Sequence, residues 1–349
     1  MSYIGSNLVR RFDILRLDDF CLSRAVNFSC YQRLKPASGD LSLPTHYALP
    51  SGDKIPSFSE LLVDLGAWQA GEGEVSTAVK VALQAGYKHI DGAWRYENEA
   101  EVGQAIKESG VAREDIWLTS KLWNWFHSPE DVESALDETL RGLQTDYLDL
   151  YIIHWPIALK KGTYELDEAL TADPYPTWEK LEEMVDKGKV RNIGISNFNI
   201  PRIKNLTANS LKYKPAVNQV ELNYWNPQPE LLKLSKEHGL LLEAYSPLGS
   251  NKQVKETLQL PEVQAIAKEL NITPAQAIIS WHVQRGTVVL PKSVTPSRIE
   301  ENLQVFSLPK GLFQKLEEAA TSHPPQRVIN PSKNYGLDFD IFDDYPYDK

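Results

Sequence analysis

Three short apolar runs in this chain each end in a side chain that can hold or move a proton. Tyr87-Lys88-His89-Ile90 leads into Asp91, Ile116-Trp117-Leu118-Thr119-Ser120 into Lys121, and Leu150-Tyr151-Ile152-Ile153 into His154, with Tyr96 a few residues beyond the first run. Set side by side as parallel strands, the runs would gather a carboxylate, a phenol, an ammonium and an imidazole at one face. That set suits delivery of a proton to a carbonyl oxygen. Hydride arriving at a carbonyl carbon leaves charge on the oxygen, and a donor within hydrogen-bond reach must meet it. The hydride has to be supplied through the rest of the chain.

The elements that must position these groups follow a regular alternation from about residue 61. Residues 61–68, 87–93, 116–122 and 147–154 read as strands, and 75–84, 98–109, 129–143 and 176–187 as the helices that follow them. Gly110 ends the second helix, and Ser128 stands as N-cap of the third with Pro129 in its first turn. Strands at 190–196, 216–222, 240–245 and 287–291 precede helices starting near Ile200, Pro229, Pro274 and Pro296. Eight β–α units with no tract of hairpin signals between them predict parallel strands with crossover helices. Eight units in roughly 250 residues predict an α/β fold of the (β/α)8 barrel type, with chemistry at the carboxyl ends of the strands.

Two regions stand outside this period. Residues 1–45 carry both cysteines and read as an appended or flexible arm before a barrel at 46–330. Residues 331–349 form a tail with Tyr335, Phe339, Phe342, Tyr345 and Tyr347. A tail so aromatic is expected to pack across something, near the substrate pocket. The stretch 58–64 either lengthens the loop before the first strand or displaces that strand together with Trp68.

Composition narrows the function class. With 349 residues, 42% hydrophobic and 24% charged, nine Trp and fifteen Tyr, the chain is globular and can bury a sizeable core. A net charge of −10 argues against general nucleic-acid binding, while a local basic pocket remains compatible with it. No apolar run approaches the ~18–20 residues of a membrane helix. Cys21 and Cys30 make neither a disulfide framework nor a metal cluster. Asp13, Asp18 and Asp19 interrupt the N-terminal arginines, and no apolar core of a secretory signal precedes them, so the expected location is cytoplasmic.

One motif misleads. Gly71-Glu72-Gly73-Glu74-Val75-Ser76, followed by Asp91, nearly copies the Gly-x-Gly-x-x-Gly dinucleotide fingerprint with its acidic ribose partner. Glu72 and Glu74 would face a pyrophosphate where a helix N-terminus should attract an anion. A glycine turn before an acidic helix start is the better reading.

Five segments carry a resemblance. They are Gly86 to Glu99, Thr119 to Trp123, Asp149 to Pro156, Gly194 to Phe198, and Leu290-Pro291-Lys292-Ser293-Val294 continuing to Arg298 and Asn302. In this order and spacing the chain resembles the aldo-keto reductase family from about Tyr47 to Pro331. The resemblance implies NADPH-dependent reduction of an aldehyde, aldose or ketone, reversible as alcohol or polyol oxidation, on a barrel without a metal. It implies that Tyr96 is the general acid. A free phenol has a pKa of about 10, and the Lys121 ammonium would lower it by favouring the phenolate. Asp91 would keep Lys121 charged, and His154 would orient the carbonyl oxygen as a neutral ring.

On the cofactor side the resemblance implies that Ser196, Asn197 and Gln219 hold the carboxamide and that Tyr245 stacks on the nicotinamide. Ser246, Leu248 and Ser250 would line the pyrophosphate path. Lys292, Ser293, Val294, Arg298 and Asn302 would receive the adenosine 2′-phosphate, favouring NADPH over NADH. Trp68, Trp123 and Trp155 match aromatic walls of the substrate pocket beside His154. Arg95 stands where relatives often carry an apolar residue; it either favours hydroxylated or carboxylated aldehydes or turns outward to Glu97. Gly66-Ala67-Trp68 departs from the usual Gly-Thr-Trp, removing one polar contact near the cofactor. The implied partners are a small carbonyl or polyol substrate and NADPH/NADP+, with the chain a monomer or weak homodimer. A barrel relative without turnover is the alternative, and intact Asp91, Tyr96, Lys121 and His154 argue against it.

Overall fold

Strands buried at every position need a cover on both faces, and Trp117–Leu122 and Leu148–Ile153 are buried throughout. In the computed structural model, which describes residues 43–61 and 73–342, that cover is a ring of helices outside and packed side chains inside. Eight parallel strands run in sequence order around the sheet. They are β1 Glu60–Leu61, β2 His89–Asp91, β3 Trp117–Leu122, β4 Leu148–Ile153, β5 Val190–Ser196, β6 Val217–Glu221, β7 Leu241–Tyr245 and β8 Val288–Leu290. A parallel bridge between Phe58 and Val289 closes the cylinder, with Ser59 N–H donating to the Val289 carbonyl at 3.0 Å. The molecule is a (β/α)8 barrel.

The main helices that follow the strands are α1 Glu74–Ala85, α2 Glu99–Ser109, α3 Pro129–Leu143, α4 Tyr175–Asp186, α5 Ile200–Thr207, α6 Pro229–His238, α7 Pro274–Arg285 and α8 Pro296–Asn302. Each from α3 to α8 has a proline in its first turn, where the missing N–H costs no hydrogen bond. In α3, Val132, Ala135, Leu136, Thr139, Leu140 and Leu143 form the buried stripe expected of a 3.6-residue period. Thr273 and Gln276 make a reciprocal capping box on α7. Ser128 does stand at the N-cap of α3, but its side chain makes no cap hydrogen bond.

Strand alternation sends one set of side chains to the helices and the other to the barrel axis. Leu118, Leu122, Tyr151, Ile153, Val220, Leu242 and Ala244 join the outer core. Trp117, Leu150, Ile152, Val217, Tyr245, Val288 and Leu290 pack together inside. The inner layer is tight at Gly194, where a Cβ would meet Ile152 Cγ2 and Val217 Cγ2, each at 2.9 Å. No side chain fits there.

Several features depart from the sequence expectation. Barrel pairing begins at Phe58 rather than at residue 61, so the stretch 58–64 contains the start of the first strand. Residues 62–72, with Trp68 and the Gly66-Ala67 departure, lie outside the described residues, as do residues 1–42 of the arm and 343–349 of the tail. An antiparallel hairpin, His46–Ala48 with Lys54–Pro56, precedes the barrel. Its Leu49 and Ile55 join the inner core at the amino-terminal ends of the strands. Extra helices occupy Ser250–Gln259 and Pro261–Leu270 between β7 and α7, and Lys310–Thr321 after α8. Among the described residues no helix is long and apolar enough to cross a membrane.

Candidate active site

Axis-facing alternation places Asp91 at the end of β2 and Lys121 near the end of β3, and His154 directly follows β4. Lys121 Nζ contacts Asp91 Oδ1 and donates to the Gly92 carbonyl at 2.8 Å. The same ammonium lies 5.0 Å from the centre of the Tyr96 ring. A short turn, Trp94–Tyr96, brings the phenol back over the strand ends, with Tyr96 N–H donating to the Ala93 carbonyl at 3.0 Å.

The electrostatics follow from burial, since Asp91 and Lys121 are both almost wholly enclosed. Burial alone would push the Lys121 ammonium down, but the charges of Asp91 and Tyr96 outweigh it and hold its pKa above the ordinary lysine value. Burial lifts the Asp91 carboxyl, opposed by Lys121 and by a hydrogen bond from Gln219. His154 is driven well below the ordinary histidine value by burial first, then by Lys121, Arg95 and His127. Its ring is therefore neutral, with one N–H to donate. The ring stands edge-on to Tyr96 at 5.8 Å and to Trp123 at 5.3 Å between centroids. Among the described residues, His154 Nδ1 and Trp123 Nε1 have no hydrogen-bond partner.

Aromatic and cationic groups surround this point. Trp155 stacks beside His154 at 6.3 Å and meets Phe342 of the tail at 6.3 Å. Tyr335, also from the tail, faces Trp123 at 6.5 Å. Arg202, on α5, donates to the carbonyls of Ile341 and Pro156, and Asn199 Nδ2 donates to that of Phe342. Arg95 turns to Glu97, one of the two readings the sequence left open, and also covers an aromatic ring. Its Nη1 pairs with Glu97 at 2.8 Å, and its guanidinium lies over Trp123, 5.5 Å from the ring centre.

Across the barrel, β5 to β7 supply a second connected group. Tyr245 donates its hydroxyl to Asn197 Oδ1 at 2.8 Å, and Asn197 Nδ2 donates to the His154 carbonyl at 3.0 Å. Ser196 Oγ donates to the Gln219 carbonyl at 2.7 Å, and Gln219 Nε2 to Asp91 Oδ2 at 2.8 Å. Asn197 holds a left-handed backbone, φ 66°, which asparagine tolerates better than most residues. Beyond β7 the chain turns through Ser246, Leu248 and Ser250, with φ of 50° at Ser246 and 89° at Gly249. A side chain at Gly249 would press Gln253 Cβ and Thr257 Oγ1 at 3.0 Å.

After β8, Lys292, Val294 and Arg298 are exposed, while Ser293 and Asn302 are buried. Neither Lys292 nor Arg298 has an ion-pair partner among the described residues. No cluster of His, Cys, Asp and Glu suited to a metal ion occurs among the described residues.

Two features escaped the sequence reading. Glu243, fully buried in β7, accepts from Gln219 Nε2 at 2.9 Å; a lone carboxylate inside Leu-Leu-Glu-Ala-Tyr was the available signal. Glu221, at the end of β6, takes the N–H groups of Val328 and Ile329 at 2.7 to 3.1 Å, anchoring the segment before the tail.

Comparison with known proteins follows the same lines. The model of the Aldo/keto reductase family matches residues 63–320. Glycerol 2-dehydrogenase (NADP(+)) of Hypocrea jecorina is 40% identical over 312 residues, covering 83% of this chain and 96% of that protein. Aldo-keto reductase family 1 member A1-A of Danio rerio is 44% identical over 279 residues, 74% of this chain and 83% of that one. The solved structure of the aldose reductase from Schistosoma japonicum superposes with a TM-score of 0.77 at 37% identity, covering 86% of this chain and 99% of its own.

Proposed function

The chain belongs to the aldo/keto reductase family and is an NADP-dependent oxidoreductase that reduces carbonyl compounds; from that premise we propose that Tyr96 is its general acid, served by Lys121, Asp91 and His154. The observation that carries this reading is the Lys121 ammonium, set between Asp91 and the Tyr96 phenol. When bound, NADPH supplies the hydride. The protein's own work is to place and neutralise the oxygen. His154, neutral, donates an N–H to the carbonyl oxygen and orients it. Tyr96 gives that oxygen its proton, and the Lys121 ammonium stabilises the phenolate left behind. Asp91 holds the ammonium in place, and the buried setting strengthens each of these interactions. In the oxidative direction Tyr96 takes the proton back.

Ser196, Asn197, Gln219 and Tyr245 would hold the nicotinamide end of the cofactor, with Ser246, Leu248 and Ser250 along the pyrophosphate. Lys292, Ser293, Val294, Arg298 and Asn302 would take the 2′-phosphate end. Two cations without an ion-pair partner among the described residues, beside an exposed valine, fit an anionic nucleotide end with an apolar face. Trp123, Trp155 and Arg95 would wall the substrate, with Tyr335 and Phe342 of the tail beside them. Small aldehydes and aldoses, and the corresponding polyols in reverse, are the proposed substrates. The proposed setting is the cytoplasm, with the chain a monomer or weak homodimer.

Loss of NADPH absorbance with glyceraldehyde, xylose and a nitrobenzaldehyde tests the reading, with Tyr96→Phe as control. Turnover that survives undiminished in Tyr96→Phe would remove the phenol from the mechanism.

A further inference from the structure

One buried carboxyl in the barrel takes no part in the chemistry above. Glu243, central in β7, is wholly enclosed. Gln219 Nε2 donates to Glu243 Oε2 at 2.9 Å and to Asp91 Oδ2 at 2.8 Å, while the other Asp91 oxygen carries Lys121. Side chains from β2, β3, β6 and β7 thus form one connected line. It ends at Glu243 Oε1, which has no partner among the described residues.

We propose that Glu243 is a positioning residue that, acting through Gln219, fixes how the barrel presents an amide acceptor to the carboxamide of the nicotinamide cofactor. The proposal rests on the nucleotide site assigned above. A primary amide has two N–H donors and one carbonyl oxygen. Asp91 and Glu243 draw both donors inward, so the Gln219 carbonyl oxygen is turned away from the two carboxyls. A flipped amide would press that oxygen against the Asp91 carboxylate. Ser196 Oγ and Asn197 N–H hold the Gln219 main-chain carbonyl at 2.7 and 2.9 Å, so the residue is fixed at both ends.

Charge adds a second effect. Burial first, then the charge of Asp91, push the Glu243 acid up to about 8, against a hydrogen bond from Gln219 and the charge of Lys121. Near neutrality it is an uncharged acid. The charged groups acting on it are Asp91 from β2 and Lys121 from β3. His89, also on β2, is kept neutral by burial, its pKa near 3. Glu221 on β6 is held one repeat nearer the mouth by Val328 and Ile329 N–H, Tyr245 follows on β7 itself, and β8 brings only Val288 and Leu290 inward. Ionised, Glu243 would place a second negative charge in the barrel two residues below Tyr245, favouring the cationic oxidised nicotinamide over the reduced one.

Dissociation constants for NADP+, NADPH and adenosine 2′,5′-bisphosphate, read by quenching of intrinsic fluorescence, test this on the full chain and on Glu243→Leu and Glu243→Gln. Glu243→Leu should bind both dinucleotides about tenfold more weakly, the scale of one lost buried hydrogen bond, and bind the bisphosphate, which has no carboxamide, like the parent. Between pH 7 and 9 the parent's preference for NADP+ over NADPH should grow several-fold, and that of Glu243→Gln should stay flat. Parental dinucleotide affinity in Glu243→Leu overturns the proposal, and so does a parental pH course in Glu243→Gln, which decides alone where the Leu variant does not fold. A parent chain that binds none of the three ligands overturns the nucleotide-site assignment as well.

Discussion

The Lys121 ammonium sits 5.0 Å from the centre of the Tyr96 ring, on a residue that is itself anchored by Asp91 and the Gly92 carbonyl. One buried cation therefore has two duties, to balance a carboxylate and to face a phenol.

The first duty is measurable as stability. Lys121→Met strands the Asp91 carboxylate in the barrel, and breaking a buried pair by removing one partner costs about 3–5 kcal/mol. Denaturant unfolding should show that loss, and Asp91→Asn added to Lys121→Met should recover part of it. A single variant as stable as the parent would mean that the pair carries no buried charge.

The second duty is measurable as rate. Tyr96→Phe should lower kcat by about 10²–10⁴, the usual contribution of a positioned proton donor, while NADPH still binds. Stopped-flow single-turnover reduction of a nitrobenzaldehyde separates the two quantities.

Arg95 should act on substrate choice. Its partner Glu97 is exposed, and an exposed pair is worth no more than about 1 kcal/mol, so a polar substrate over Trp123 can compete for the guanidinium. Arg95→Ala should raise KM for glyceraldehyde more than for a nitrobenzaldehyde. Equal changes for both would remove Arg95 from the pocket wall.

Lys292 and Arg298 should discriminate the two nicotinamide cofactors. Replacing both by alanine removes the charge-assisted contacts expected for a 2′-phosphate, so the Kd for NADPH should rise at least about tenfold and that for NADH much less. Added salt should narrow the parent's preference in the same direction.

The pH dependence of stability has a defined sign at Glu243. Its folded pKa, about 8, lies above the ordinary 4.5, so the folded state holds a proton that the unfolded chain gives up in between. The stabilising contribution is complete below about 4.5 and is lost as pH rises through about 8, at up to about 1.4 kcal/mol per pH unit. Glu243→Gln cannot titrate, so its stability relative to the parent should improve from pH 5 to pH 9. A constant difference between the two proteins across that range would contradict the assigned protonation.

Much of this was legible in the chain, for local reasons. Prolines in the first turns of α3 to α8 and apolar runs ending at Asp91, Lys121 and His154 mark their elements without help from tertiary structure. The hairpin strands His46–Ala48 and Lys54–Pro56 are too short to show an alternation, and the start of the first barrel strand at Phe58 depends on Val289 from the far end of the chain. The bond from Gln219 to Asp91 spans 128 residues. No spacing rule reaches that far, so Glu243 looks in sequence like an interruption of an apolar strand. Arg95 shows the other limit, since its pairing with Glu97 was one reading the sequence offered, while its position over Trp123 depends on an aromatic ring from another strand end.

The hairpin before the barrel has a further consequence. With Leu49 and Ile55 seated among the inner side chains, the amino-terminal end of the cylinder is plugged by apolar side chains from outside the eight β–α units. The end that carries Asp91, Lys121 and His154 lies opposite this plug.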